Sequence, residues 1–249
     1  MTTRERTPLL PLAGDEAWPV DLQHKLRDRL SVIAWGAIQW PWLARSLSGG
    51  SPATKRALLD LLDLPADALP NLGSWKADTG FLSLAVSHVE DRRPASVVEL
   101  GTGASTLVVG RALQKWGGGT LVSYDQHAGF AAATAAWLAD HGVTADLRVA
   151  PLGLPPLGWP GAWYQLTALP ATIDLLLIDG PPWTLHPFVR GAAESLFHRL
   201  SVGGTIMLDD GARPGERVVM ARWKRRWPNI AFELVHAGTK GTVIGTRLS

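Results

Sequence analysis

The chain has 249 residues, 46% of them hydrophobic, and carries a formal net charge of +2 at neutral pH. This length suffices for one large α/β domain with a smaller additional region, and the small net charge gives no reason to expect a nucleic-acid partner. Because the sequence contains no cysteine, it excludes a disulfide framework, a thiolate nucleophile and a cysteine-ligated metal site.

Neither a secretion signal nor a membrane span is expected. The apolar run at residues 8–12 is too short for the core of a signal peptide, so we expect a cytoplasmic protein. The most apolar window, residues 33–43, reaches about half of the roughly 20 residues that a membrane helix needs. It favours a core or cap helix, with contact at a membrane surface as the alternative.

Helical patterns fill the first 94 residues. Three helices are predicted there, within residues 20–47, 51–64 and 79–90. Pro41 should end or kink the first helix, whereas Ser51 and Pro52 are typical of a helix cap and first helical residue. Asp78 or Thr79 should cap the third helix. We expect residues 1–94 to form a helical cap over the substrate region.

From residue 95 onward, short strand-like runs alternate with helical stretches. Five strands are predicted at residues 96–100, 120–124, 146–150, 173–178 and 204–208. Helices are predicted at residues 105–116, 128–141, 187–200 and 214–227, with a Pro/Gly-rich crossover at 151–170. Two final strands, 230–236 and 241–246, are close enough to form an antiparallel hairpin at the sheet edge. Residues 95–249 therefore predict a doubly wound, mostly parallel seven-stranded sheet of the α/β class.

A glycine-rich turn follows the first strand. Glu99 is followed by Gly101 and Gly103, which permit a tight turn and let the backbone approach a ligand at the start of the next helix. Such turns also occur in dinucleotide-binding proteins, so an NAD-linked oxidoreductase is one alternative. The third glycine of that fingerprint is replaced by Thr106, which counts against NAD.

Acidic residues stand at the carboxyl ends of the predicted strands, where ligands bind in sheets of this kind. Asp125 follows the second strand, and Asp179 follows the fourth in the sequence Asp-Gly-Pro-Pro. Asp209 and Asp210 follow the fifth strand.

Taken together, these motifs resemble the class I S-adenosylmethionine (SAM)-dependent methyltransferases over about residues 95–247. The resemblance implies that Glu99, Gly101, Gly103 and Ser105 surround the methionine part of SAM. It also implies that Asp125 accepts hydrogen bonds from the two ribose hydroxyls, although an ordinary strand end would explain this residue too. The full set implied to bind the cofactor is Glu99, Gly101, Thr102, Gly103, Ser105, Asp125, Gln126 and Asp179.

Three carboxylates, Asp179, Asp209 and Asp210, should repel one another unless a cation or protons intervene. Oxygen ligands of this kind suit Mg²⁺ or Ca²⁺, and the arrangement resembles the metal-dependent O-methyltransferases of the catechol and macrocin type. The resemblance implies that these residues bind Mg²⁺, which would hold two substrate oxygens and lower the pKa of the hydroxyl. The alternative is a metal-free enzyme in which Asp179 and Asp209 cap helices and line the cofactor pocket.

One departure from the catechol-type pattern concerns the general base. Those enzymes have a lysine three residues after the first metal-binding Asp, where this chain has Pro182. His186 is the candidate base, acting with Asp179 as the catalytic pair, because imidazole suits proton removal near neutral pH. A surface histidine is the alternative. Arg213 is a candidate to orient an anionic substrate group, with an ordinary surface arginine as the alternative.

The chain contains 12 tryptophans, and several lie in the predicted cap and in the loops after the third and fourth strands. This bias indicates either packing anchors or an aromatic pocket for a phenol, polyketide or glycoside. The sequence thus predicts a SAM-dependent methyltransferase that acts on a hydroxyl of a small molecule with help from Mg²⁺. Its alternatives are a non-catalytic SAM-binding protein and the NAD-linked enzyme; no nucleic-acid or membrane partner is expected, and a homodimer is compatible with the sequence.

Overall fold

The computed structural model describes residues 26–249. The start of the first predicted helix and the first part of the predicted cap therefore lie outside the described residues. None of the helices from Leu26 onward combines the length and apolar character that a bilayer crossing requires.

Three helices precede the sheet: α1 (Leu26–Ser46), α2 (Pro52–Leu61) and α3 (Thr79–Arg92). Ser51 caps α2 by accepting the Ala53 N–H at 3.2 Å, and Asp78 caps α3 by accepting the Phe81 N–H at 2.9 Å. Pro41 lies inside α1, so it does not end the helix, and the alternative, that it kinks the helix, stays a prediction. A proline removes one backbone donor, and the remaining hydrogen bonds of a long helix can carry it across this gap.

The seven-stranded sheet has the order β3-β2-β1-β6-β7-β9-β8. Its strands are β1 (Ser96–Leu100), β2 (Thr120–Asp125), β3 (Asp146–Val149), β6 (Ile173–Ile178), β7 (Leu200–Leu208), β8 (Ile230–Val235) and β9 (Thr242–Arg247). Pairing is parallel from β3 through β7, and β9 is antiparallel to both of its neighbours. The predicted sheet and its antiparallel edge hairpin are confirmed.

The helices between these strands are α4 (Ala104–Trp116), α5 (Ala128–Asp140) and α6 (Pro214–Arg226). The crossover after β3 contains a two-stranded ladder, β4 (Leu152–Gly153) with β5 (Trp163–Tyr164), and a short 3-10 turn. Residues Val189–Arg199, predicted as an α-helix, form a 3-10 segment instead. Gly191 lowers the helix propensity there, and a Cβ on it would meet the Trp159 ring at 2.2 Å. Tertiary packing thus sets the conformation of this segment.

Two hydrophobic layers cover the two faces of the sheet. One is built around Trp163, Phe197 and Trp223. The other joins side chains of α2 and α3 to α4 and α5, including Phe81, Leu107 and Trp137. Residues on both sides of the division predicted at residue 94 therefore share one core, and the division itself stays a prediction.

Candidate functional site

The turn after β1 is built from glycines that no other residue could replace without strain. Gly101 has a φ of +99°, and a Cβ placed on it would lie 3.0 Å from the Gly180 backbone nitrogen. Gly103, with a φ of +156°, is the N-cap residue of α4. The turn thus brings the ends of β1 and β6 into contact and aims the N-terminus of α4 at the crevice.

Glu99 is fully buried at the end of β1. Its Oε2 accepts hydrogen bonds from the hydroxyls of Thr106 at 2.6 Å and Ser123 at 2.5 Å. The Thr106 hydroxyl oxygen in turn accepts the Gly103 N–H at 2.8 Å, so the residue at the third-glycine position links the acid to the turn. Burial raises the pKa of Glu99 to about 7, against the effect of these hydroxyls.

Asp125 ends β2 and is buried beside the same turn. Its Oδ2 accepts the Thr102 N–H at 3.1 Å, and its Oδ1 accepts the His127 N–H at 2.8 Å. Burial raises the pKa of Asp125 to about 6. Oδ2 also accepts the Thr102 hydroxyl at 3.3 Å, but Oδ1 keeps a second lone pair with which Asp125 can accept a ligand hydroxyl.

Two side-chain oxygens near this turn are buried without a hydrogen-bond partner among the described residues, namely Oε1 of Glu99 and Oε1 of Gln126. A buried acceptor is unfavourable unless a donor satisfies it. SAM carries an ammonium group and hydroxyls that could supply such donors, so the residues around the turn fit this cofactor. Ser105, in the first turn of α4, is also buried here.

Asp179, Asp209 and Asp210 do come together, as the sequence indicates. One carboxylate oxygen from each lies within 4.8 Å of the others. Asp179 follows β6 and the other two follow β7, and parallel pairing of these strands places their carboxyl ends side by side. The three acids form what we call the acidic cluster.

Three buried cations already contact the acidic cluster. Arg190 lies 3.1 Å from Oδ1 of Asp179 and 3.0 Å from Oδ2 of Asp210. Lys240 lies 3.2 Å from Oδ2 of Asp209 and 3.4 Å from Oδ1 of Asp210, and Arg213 pairs with Asp210 as well. Although burial opposes it, attraction by the carboxylates raises the pKa of Lys240.

A fourth acid, the buried Glu216, contacts the same cations, at 3.5 Å from Arg213 and 3.8 Å from Arg190. Burial raises the pKa of Glu216 to about 7 despite both arginines. Arg213, considered as a substrate ligand, has two carboxylate partners within the protein and is only 5% exposed. The carboxylate oxygens of the acidic cluster are of the type that binds a divalent metal. The cations paired with them already neutralise most of the negative charge that such a metal would need.

His186 is buried. Its Nδ1 accepts the Phe188 N–H at 3.1 Å, and its ring packs against the Phe188 ring. Burial lowers the pKa of His186, although Asp28 opposes the shift. Within the described residues, no hydrogen bond or ion pair joins His186 to the acidic cluster, and its role as a base stays a prediction.

Several tryptophans serve packing. The indole N–H of Trp159 donates to Glu194 at 2.6 Å, and the Arg222 guanidinium lies 4.0 Å from the centre of that ring. Trp163 is buried against Tyr164, whereas Trp35 of α1 packs edge-on against Phe188. These three tryptophans therefore act as packing anchors, which is one of the two interpretations that the sequence allowed.

Sequence reasoning missed Tyr164. Its hydroxyl lies so close to Gly180 that a Cβ on that glycine would be 2.1 Å from it, and charges on Asp125, Asp179 and Glu99 all influence the ring. Burial and these acids raise its pKa well above the ordinary value, so the group is a hydrogen-bond donor and not a base. A tyrosine in an irregular crossover gives no periodic signal that could have identified it.

Comparison with known proteins agrees with this architecture. The family described as "Methyltransferase domain" matches residues 98–211, from β1 to the acidic cluster. No curated protein matches the chain.

Solved structures share the whole fold at low sequence identity. The SAH-bound methyltransferase PaMTH1 of Podospora anserina has a TM-score of 0.54 and 15% identity over 94% of this chain and 100% of its own. The O-methyltransferase TomG of Streptomyces achromogenes, involved in tomaymycin synthesis and solved with SAM, has a TM-score of 0.53 and 17% identity over 87% and 98%. The SAH complex of an O-methyltransferase from Bacillus cereus has a TM-score of 0.52 and 16% identity over 88% and 100%.

These structures show the fold, and the family match covers the segment that holds the glycine turn and the acidic strand ends. The chain therefore has the class I, SAM-dependent methyltransferase fold, and its residues 98–211 match a methyltransferase domain.

Proposed function

We propose that this protein transfers a methyl group from SAM to a hydroxyl of a small molecule. The observation that carries the proposal is the unpartnered Oε1 of Glu99, buried beside the Gly101–Gly103 turn. It provides an acceptor for the ammonium group of a bound methionine moiety. The fold-related proteins TomG and the Bacillus cereus enzyme are O-methyltransferases, which supports oxygen as the acceptor atom.

When bound, SAM supplies a methyl group on a sulfonium, which an acceptor oxygen attacks in line with the leaving sulfur. The rate of such a transfer depends mainly on alignment, and the residues of this chain serve that purpose. Glu99 and Ser105 face the methionine end, and Asp125 accepts the ribose hydroxyls. Asp179, at the start of the acidic cluster, borders the place where the acceptor meets the methyl group.

Two further questions about the reaction are which group removes the hydroxyl proton and whether a metal takes part. His186 remains the sequence-based candidate for removing the hydroxyl proton, and its buried, neutral imidazole is chemically suited to that role. Mg²⁺ at the acidic cluster likewise remains a sequence-based prediction, but the ion pairs of Lys240, Arg190 and Arg213 count against it. Full activity in excess EDTA would argue for a metal-free reaction.

Calorimetry with S-adenosylhomocysteine (SAH) and with NAD tests the cofactor. We expect micromolar binding of SAH and none of NAD. Asp125→Ala should weaken SAH binding by about tenfold or more, because each charged hydrogen bond contributes about 1.5–3 kcal/mol. Asp146→Ala, which removes an exposed carboxylate from the neighbouring strand β3, is the control and should bind SAH normally.

Binding of NAD without SAH would contradict the proposal. Transfer to oxygen is then examined with SAM and a panel of phenols and glycosides, by mass spectrometry of the products. A methyl group found only on nitrogen acceptors would disprove the assignment of oxygen, and SAH binding without any transfer would favour the non-catalytic SAM-binding protein.

A further inference from the structure

The acidic cluster has the carboxylate ligands of a metal site, but cationic side chains neutralise most of its negative charge. Four acids, of which Asp209, Asp210 and Glu216 are buried and Asp179 is partly exposed, face three buried cations. The cations are Arg190, Arg213 and Lys240. If all seven groups are ionised, one negative charge is left over, which is less than a divalent ion needs for neutrality.

The individual oxygens are also occupied. Asp209 accepts the Asp210 N–H on Oδ1 at 2.7 Å and pairs with Lys240 through Oδ2. Asp210 pairs with Lys240 through Oδ1 and with both arginines through Oδ2. A metal that took an oxygen of Asp210 would have to displace either the Lys240 ammonium from Oδ1 or the two arginines from Oδ2.

Lys240 cannot easily move aside, because its backbone is held on both sides. Its N–H donates to Oδ2 of Asp78 at 3.0 Å, and its carbonyl accepts the Ala212 N–H at 3.0 Å. The neighbouring Thr239 also donates to Asp78 through its hydroxyl, at 3.0 Å. The Lys240 side chain is 1% exposed. If its ammonium left the carboxylates of the acidic cluster, it would remain buried without a partner, which is strongly unfavourable.

We propose that Lys240, with Arg190 and Arg213, takes the place of a divalent metal in this enzyme. Lys240 is a positioning residue that neutralises and orients Asp209 and Asp210, and it excludes metal ions from the acidic cluster. This inference rests on the proposed function as a methyltransferase. It implies that the acceptor need not present two adjacent oxygens, because no metal is there to bind them as a pair.

Mn²⁺, used as a probe for divalent metal binding, tests this inference through the electron paramagnetic resonance signal of the free ion. We expect the wild-type protein to bind no Mn²⁺ with a Kd below about 1 mM. Lys240→Ala removes the competing charge and frees two carboxylate oxygens, so it should bind one Mn²⁺ at least about tenfold more tightly than wild type. Lys224→Ala, which removes an exposed lysine of α6, is the matched control and should behave as wild type.

Stoichiometric micromolar binding of Mn²⁺ by the wild-type protein would overturn the proposal. So would a folded Lys240→Ala variant without any gain in affinity, with folding checked by circular dichroism. If that variant does not fold, the wild-type titration decides by itself. SAH calorimetry on the wild-type sample keeps the two proposals apart, because failure of the wild-type protein to bind SAH would contradict the methyltransferase function whatever the result with Mn²⁺.

Discussion

Glu99 is an acid that the fold keeps inside the protein at a considerable free-energy cost. Burial raises its pKa from an ordinary value of 4.5 to about 7. The folded state therefore binds this proton more tightly than the unfolded state does. The resulting stabilisation is complete below about pH 4.5 and is lost as the pH rises to about 7.

Glu99→Gln should remove this pH dependence. Between pH 5 and pH 8, we expect the wild-type protein to lose about 2.5 kcal/mol of unfolding free energy from this group, and the variant to lose none of that part. Urea unfolding at both pH values measures the difference. Glu233→Gln, at an exposed position on β8, is the control, and an equal pH response of wild type and Glu99→Gln would refute the expectation.

A second prediction for a single residue concerns Gly180. A Cβ there would lie 2.1 Å from the Tyr164 hydroxyl oxygen but 3.3 Å from the ring carbon that bears it. Gly180→Ala should therefore destabilise the protein by about 1–3 kcal/mol, as overpacking does in a filled core. Adding Tyr164→Phe should restore part of the loss, because the clashing atom is removed.

Thermal and urea unfolding of the two single variants and the double variant measure this coupling. Strictly additive losses would show that the hydroxyl of Tyr164 does not limit the space at Gly180.

Among the elements, α3 has a cap with two functions. The Asp78 carboxylate accepts the Phe81 N–H at the start of α3 and also holds the loop that carries Thr239 and Lys240. Because Asp78 is only 1% exposed, removal of its carboxylate leaves several buried donors without an acceptor.

Asp78→Ala should cost about 3–4 kcal/mol of unfolding free energy, whereas Ser51→Ala, at the exposed cap of α2, should cost about 1 kcal/mol. Chemical denaturation of both variants provides the comparison. Similar losses at the two caps would mean that the hydrogen bonds to residues 239–240 add little stability.

The elements also show where sequence patterns are informative. β1 and β6 could be predicted to the residue because buried parallel strands are continuous apolar runs between turn residues. The β4–β5 ladder could not, since two-residue strands such as Trp163–Tyr164 have no periodicity. The 3-10 segment after Phe188 has a helical pattern, but contact with Trp159 determines its conformation.

For the molecule as a whole, the sequence was enough to predict the fold and the acids of the site, but of the three cations it indicated only Arg213. Asp125, Asp179 and Asp209 end strands of a parallel sheet, so strand prediction alone places them at one edge. Arg190 reaches the same place from the 3-10 segment Val189–Arg199, and Lys240 reaches it from the β8–β9 loop. Their positions depend on long-range packing, which local spacing does not encode.

The order of strands in the sheet has a consequence for how the protein is made. β9 follows β8 in the chain but lies between β7 and β8 in the sheet. Until β9 has left the ribosome, β7 has an unpaired edge and the apolar residues Ile206, Met207 and Leu208 lack their final cover. Unpaired apolar edges readily bind strands of other chains. The protein is therefore open to aggregation through the β7 edge until β9 fills the gap.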